Sequence, residues 1–145
     1  MDLTLYFDGL CQPHNPGGIA CFGWLIEYEG QLIISGKGEV ARGSEATNNV
    51  AEYAALIAGL EALAISSIEK CQISIKGDSQ LVIRQLLGEY NVKSSRLMPL
   101  YAQAIELLDQ LAIWHNIHLE WIPRERNVKA DSLSRQAYEE ALRLV

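Results

Sequence analysis

The chain has 145 residues, 49% hydrophobic and 21% charged, with a formal net charge of −6. That length suits one domain with a full core of its own, and no apolar run reaches the ~20 residues that cross a bilayer, so no membrane association is expected. The negative balance argues against a non-specific nucleic-acid binder, which carries a basic surplus, but leaves open a site whose acids hold cations that cancel their charge.

The start, MDLTLYFDG, lacks a basic segment, and no secretory leader is expected. Leu3, Leu5 and Phe7 alternate with Thr4 and Tyr6, which is the period of a strand. This strand ends on Asp8, and Gly9 leads into a loop carrying Asn15, Pro16, Gly17 and Gly18. Residues 20–28 and 31–40 read as two more strands joined by a tight turn, predicting an antiparallel meander. NNVAEYAALIAGLEALA, from Asn48, is a helix rich in alanine and leucine. Residues 71–78, CQISIKGD, form a strand, and residues 79–90 a helix that closes near Gly88. Residues 95–112 form a further helix with Pro99 in its first turn. IHLEWI, residues 117–122, is the last strand, and residues 128–144 are the last helix. The order βββαβααβα predicts a single α/β domain over residues 1–145, with one mixed sheet and helices packed on its faces.

Cys11, Cys21 and Cys71 are odd in number and lack CxxC spacing. They read as reduced thiols, which predicts a reducing, cytoplasmic setting. His14, His115 and His118 are too scattered for a zinc site. Trp24, Trp114 and Trp121 are assigned to the core or its rim. Neither a phosphate-cradling glycine motif nor a nucleophile elbow is present.

Four acids stand at element junctions. Asp8 and Asp78 end strands; Glu52 lies in the first turn of the long helix, and Asp131 one turn into the last. Each has a structural explanation on its own. Asn49 and Glu52 have capping-box spacing, Asp78 can cap the following helix, Asp131 suits a helix N-terminus, and Asp8 suits a turn. Yet Glu52 shares a stripe with Ala55, Leu56, Gly59 and Leu63 and so faces the packed side. Like charges brought together need neutralising, and hard oxygen ligands suit Mg²⁺ or Mn²⁺. From the residues alone, a carboxylate metal site is as far as the reading goes.

The segments YFDG…NPGG, TNNVAEYAALIAGLEAL, GDSQLVIRQL and WIPRERNVKADSLSRQA resemble, in order and over essentially the whole chain, the ribonuclease H type 1 family. They are most similar to its small single-domain archaeal and bacterial members. The resemblance implies a ribonuclease H-like α/β fold, with one five-stranded mixed sheet whose strands 1–3 are antiparallel and 4–5 parallel. It implies hydrolysis of the RNA strand of RNA–DNA hybrids to 5′-phosphate and 3′-hydroxyl ends by two ions of Mg²⁺ or Mn²⁺. Asp8, Glu52, Asp78 and Asp131 fall on the family's metal-binding acids, with Asp8 as the bridge between ions. Asn15, Asn48, Asn49 and Gln80 fall on positions that contact the hybrid's minor groove, where the 2′-hydroxyl marks RNA. Gly9 is expected to allow close backbone approach, and Thr47 to meet a DNA-strand phosphate.

Two departures stand out. Better-known bacterial members carry a histidine upstream of the last aspartate. IPRERN has none, and Arg124 takes its place, as in archaeal-like members. An arginine cannot shuttle protons at neutral pH, so the expected role is to hold a phosphate or assist product release. The basic insertion of some relatives is also missing, since VKSSRLMPLYAQAIELL carries only Lys93 and Arg96. Weaker hybrid binding is expected. The chain is expected to act as a monomer. The alternatives are a non-catalytic hybrid-binding module, or a nuclease that also cuts double-stranded RNA.

Overall fold

A computed structural model describes residues 2–144. Strands β1 (Asp2–Gln12), β2 (Ile19–Tyr28) and β3 (Gln31–Arg42) form the antiparallel meander. Glu29 and Gly30, at φ 49° and 82°, make the two-residue turn between Tyr28 and its partner Gln31, a geometry matched to strand twist. β4 (Gln72–Gly77) and β5 (Asn116–Trp121) add in parallel, giving the sheet order β3-β2-β1-β4-β5. The fold class and the order βββαβααβα are as the sequence implies.

One face of the sheet is the main core. Leu3, Leu5, Phe7, Trp24, Ile26, Ile73 and Ile75 pack there against helix α1 (Asn48–Ile65), the short α2 (Gln80–Leu86) and α3 (Met98–Trp114). On the other face, α4 (Val128–Arg143) crosses β1, β2 and β3, with Ala137 and Ala141 against Ile19 and Cys21. At Gly23 the helix lies so close that a Cβ would stand 2.5 Å from the Leu133 Cβ. No helix among the described residues is long and apolar enough to cross a membrane. The three cysteines are free and buried, with Cys11 and Cys21 in separate clusters.

Some boundaries differ from the expectation. β1 does not end on Asp8 but continues to Gln12, because β2 pairs with it as far as Gln12 opposite Ile19. Its pairing with β4 stops earlier, at Phe7 opposite Gly77. Glu52 lies just beyond the first turn of α1, not within it. α3 starts at Met98 rather than residue 95, after the Ser94 hydroxyl accepts from the Leu97 amide; Pro99 lies in its first turn. α2 ends at Leu86, and Gly88, at φ 79°, closes it by the left-handed exit that favours glycine.

Candidate active site

The early end of β4 shapes the site. Beside Asp8, β1 has lost its parallel neighbour, so its flank is open. Side chains from both layers meet in that gap. Asp8 comes from β1, Glu52 from α1, and Asp78 from the turn just past β4. Each offers an oxygen, and these atoms all lie within 4.8 Å of one another.

The local structural explanations for two of these acids fail. Thr47, not Asn49, caps α1, its hydroxyl accepting from the Val50 amide at 3.1 Å. Ser79, not Asp78, caps α2, accepting from the Val82 amide at 3.2 Å. Both carboxylates are thereby left to turn inward. Gly9 serves the same assembly in a way the sequence did not suggest. A Cβ there would stand 2.3 Å from the Ala51 carbonyl carbon and 2.4 Å from the Glu52 nitrogen. The close backbone approach at Gly9 is to α1.

Burial, then the charge of Asp78, pushes Asp8 up to about 8. Glu52 is raised well above the usual carboxylate range by burial, then by Asp8 and Asp78; a hydrogen bond from the Gly9 backbone works the other way. Asp78 is raised by burial, against the Asn127 hydrogen bond and the nearby Arg124 guanidinium. Three acids that resist ionising together are short of positive charge. The Glu52 Oε2, buried, has no hydrogen-bond partner. A carboxylate oxygen left bare among two more hard oxygen ligands fits a divalent cation.

Asp131 is not in this mutually close trio but borders it. Its carboxylate accepts from Arg135 Nε at 2.9 Å, and it is near enough to raise Asp8, by a side-chain hydrogen bond and then by its charge. Gly9, Asn48, Asn49 and Arg124 line, with the trio, a cleft of about 430 Å³. Asn15 is tied up at the end of this cleft: its Oδ1 accepts from the Asn48 amide at 3.0 Å, docking the loop of residues 13–18 onto the start of α1. Gln80, exposed on the first turn of α2, is not among the residues lining the cleft. His115 lies at the opposite end of β5, where its Nδ1 accepts from the Cys71 amide.

Three neighbours went unnoticed in the sequence reading or were assigned elsewhere. Asn127, 1% exposed, donates from Nδ2 to the Phe7 carbonyl at 2.9 Å and to Asp78 Oδ2 at 3.4 Å. Trp121 donates from Nε1 to the Asp78 carbonyl at 3.1 Å. Ser134, fully buried, donates to the Asp131 carbonyl at 2.7 Å and lies 3.5 Å from Asp8 Oδ2. The sequence signal for Asn127 is its place just before the last helix, where it reads as a cap; its side chain makes no capping bond.

A sequence-family profile described as "Reverse transcriptase-like" matches residues 6–137. Ribonuclease HI of Halobacterium salinarum is 39% identical over 137 residues. The chain belongs to the ribonuclease H type 1 family. It covers 64% of that archaeal relative's length, with 94% of its own residues aligned. The bifunctional protein Rv2228c of Mycobacterium tuberculosis is 37% identical over 128 residues, which are 88% of this chain but only 32% of the relative. Among solved structures of the family, LC11-RNase H1, isolated from compost by a metagenomic approach, superposes in its complex with an RNA/DNA hybrid at a TM-score of 0.81 and 32% identity, covering 97% of this chain and 99% of the other.

Proposed function

We propose that this chain is a metal-dependent endoribonuclease that hydrolyses the RNA strand of RNA–DNA hybrids, leaving 5′-phosphate and 3′-hydroxyl ends. The observation that carries this reading is the cluster of Asp8, Glu52 and Asp78 within 4.8 Å in an open cleft, with Glu52 Oε2 unpartnered. The hybrid bound by LC11-RNase H1 supports the choice of substrate.

Asp8, Glu52 and Asp78 hold Mg²⁺ or Mn²⁺, two ions with substrate bound, and Asp131 joins them from α4. Bound there, such ions supply a more acidic attacking water and neutralise charge on the leaving oxygen. Arg124, exposed at the cleft, holds a phosphate and moves no proton. Asn48 and Asn49 present amides that both donate and accept toward 2′-hydroxyls. Asn15 supports them by fixing the Asn48 backbone. Thr47 keeps the start of α1 in place and meets a DNA-strand phosphate; Gln80 reaches the hybrid from the rim. The chain acts as one domain and as a monomer, and its three free buried thiols suit a reducing cytoplasm.

The test is cleavage of a labelled RNA–DNA hybrid, with single-stranded RNA, double-stranded RNA and duplex DNA as controls. It is run in Mg²⁺, in Mn²⁺ and in chelator, on wild type and Asp78→Asn. Metal-dependent cutting of the hybrid's RNA strand, lost in the variant, is the expected result. Hybrid binding without cutting in either metal would instead mark a binding module, and equal cutting of double-stranded RNA would widen the substrate class.

A further inference from the structure

The connection between β5 and α4 is fastened to the exit of β4 at both ends. At its start, the Ile122 amide donates to the Gly77 carbonyl at 2.9 Å. Beside it, the Trp121 indole donates to the Asp78 carbonyl. At its far end, Asn127 places Nδ2 between Asp78 Oδ2 and the Phe7 carbonyl. Between these ties the backbone closes on itself, with Arg126 bonded to Pro123 and Asn127 to Arg124, each at 2.9 Å. Arg124 is carried on this short turn, with its charge felt at Asp78.

The donor pattern also fixes the Asn127 amide. Both its neighbours at Nδ2 are acceptors, so the flipped amide would set oxygen against oxygen. Its own Oδ1 is left buried without a partner. A buried amide that leaves one atom unmet gives up stability in exchange for something. Here the gain is one side chain holding β1 and Asp78 together.

We propose that residues 121–127 act as a clamp that fixes Asp78 from its backbone and its carboxylate sides at once, and presents Arg124 to the cleft in register with it. Trp121 and Asn127 are then positioning residues. This rests on the reading of Asp78 as a metal ligand. Partners that orient a ligand set metal affinity without touching the ion. The clamp adds a second consequence: Asp78 and Arg124 move as one unit, so disturbing the ties disturbs both.

The test uses Trp121→Phe, which keeps the ring and removes the N–H, and Asn127→Leu, which keeps a similar size and removes the donor without adding charge. Mn²⁺ binding is measured directly by electron paramagnetic resonance, and the melting temperature is recorded in chelator. Trp121 is 42% exposed, so its phenylalanine variant is expected to fold normally even where the buried Asn127 change does not. Trp121→Phe is expected to weaken Mn²⁺ binding roughly 2- to 12-fold, as the loss of one hydrogen bond would, with little change in melting temperature. Folded Asn127→Leu is expected to lose about 10- to 100-fold. In a double-mutant cycle on kcat, Arg124→Ala is expected to cost less in the Trp121→Phe background than in wild type. Unchanged Mn²⁺ affinity in Trp121→Phe, or full additivity in the cycle, overturns the clamp while leaving the metal site standing. Wild type binding Mn²⁺ no better than Asp78→Asn overturns the metal site and the clamp with it.

Discussion

The carboxylates of Glu52 and Asp8 bring oxygens within 4.8 Å of each other, and both residues are almost wholly withdrawn from water. Such a pair weakens the fold until a cation joins it. Glu52→Gln is therefore expected to raise the melting temperature in chelator at pH 8, by about 2–4 °C for each kcal/mol of relieved repulsion. The same variant is expected to lose the stabilisation that wild type gains from Mg²⁺. Melting curves with and without Mg²⁺ check both effects; a less stable metal-free variant would refute the repulsion.

The pH dependence has a definite sign. Asp8 ordinarily titrates at 3.8 and is held at about 8 in the fold. Between those values the folded chain binds the proton more tightly than the unfolded one. The stability that Asp8 contributes without metal therefore falls as pH rises from about 4 to about 8. Glu52 and Asp78, also raised, act in the same direction. Saturating Mg²⁺ replaces the proton, so the metal-bound melting temperature is expected to hold steady or rise over that window. A metal-free protein that gains stability from pH 5 to pH 8 would contradict this.

Gly9→Ala tests the contact between β1 and α1. The added methyl would lie 2.3–2.4 Å from the backbone at Ala51 and Glu52. Relief requires the helix to shift, which is expected to cost about 3 kcal/mol and to carry Glu52 away from Asp8. Denaturant unfolding measures the first, and the Mg²⁺-induced rise in melting temperature the second. An alanine variant that matches wild type in both would show that the helix gives way freely.

The connection between α2 and α3 offers few cations to a polyanion. It carries Lys93 and Arg96, and Arg96 is engaged by Glu45 at 3.0 Å. Hybrid binding is expected to be weak and to depend shallowly on salt. Ser95→Lys, at an exposed position in this connection, is expected to lower KM and to steepen the slope of log affinity against log salt by about 0.7–0.9, the signature of one added phosphate contact. An unchanged slope would place the hybrid elsewhere.

The sequence made the alternation of Leu3, Leu5 and Phe7 and the long alanine-rich helix from Asn48 plain, because both patterns are local. The acids were legible for the same reason, as each sits in a short recognisable segment. The end of β1 was not. Its apolar rhythm stops at Asp8, but pairing with β2 carries the strand on to Gln12, and that pairing is a tertiary fact. The helix caps were ambiguous because Thr47, Asn48 and Asn49 are all good candidates; the structure chooses Thr47 and frees Glu52. Asn127 and Trp121 could not be connected to Asp78 from their spacing. They lie 49 and 43 residues away, and only the parallel pairing of β4 with β5 brings them alongside.

That wide spacing bears on when the chain becomes competent. The trio comes from residues 8, 52 and 78, and the amide that steadies its last member comes from residue 127. No contiguous half of the chain contains the trio together with that amide. During synthesis or refolding, the first three strands and α1 can collapse early, because their contacts are near in sequence. If Asn127 positions Asp78, full ion affinity is expected only once the segment leading into α4 has docked. Refolding followed by far-ultraviolet circular dichroism is therefore expected to run ahead of refolding followed by Mn²⁺ capture, and a growing chain is expected to bind Mn²⁺ at full strength only once residues 127–143 have emerged.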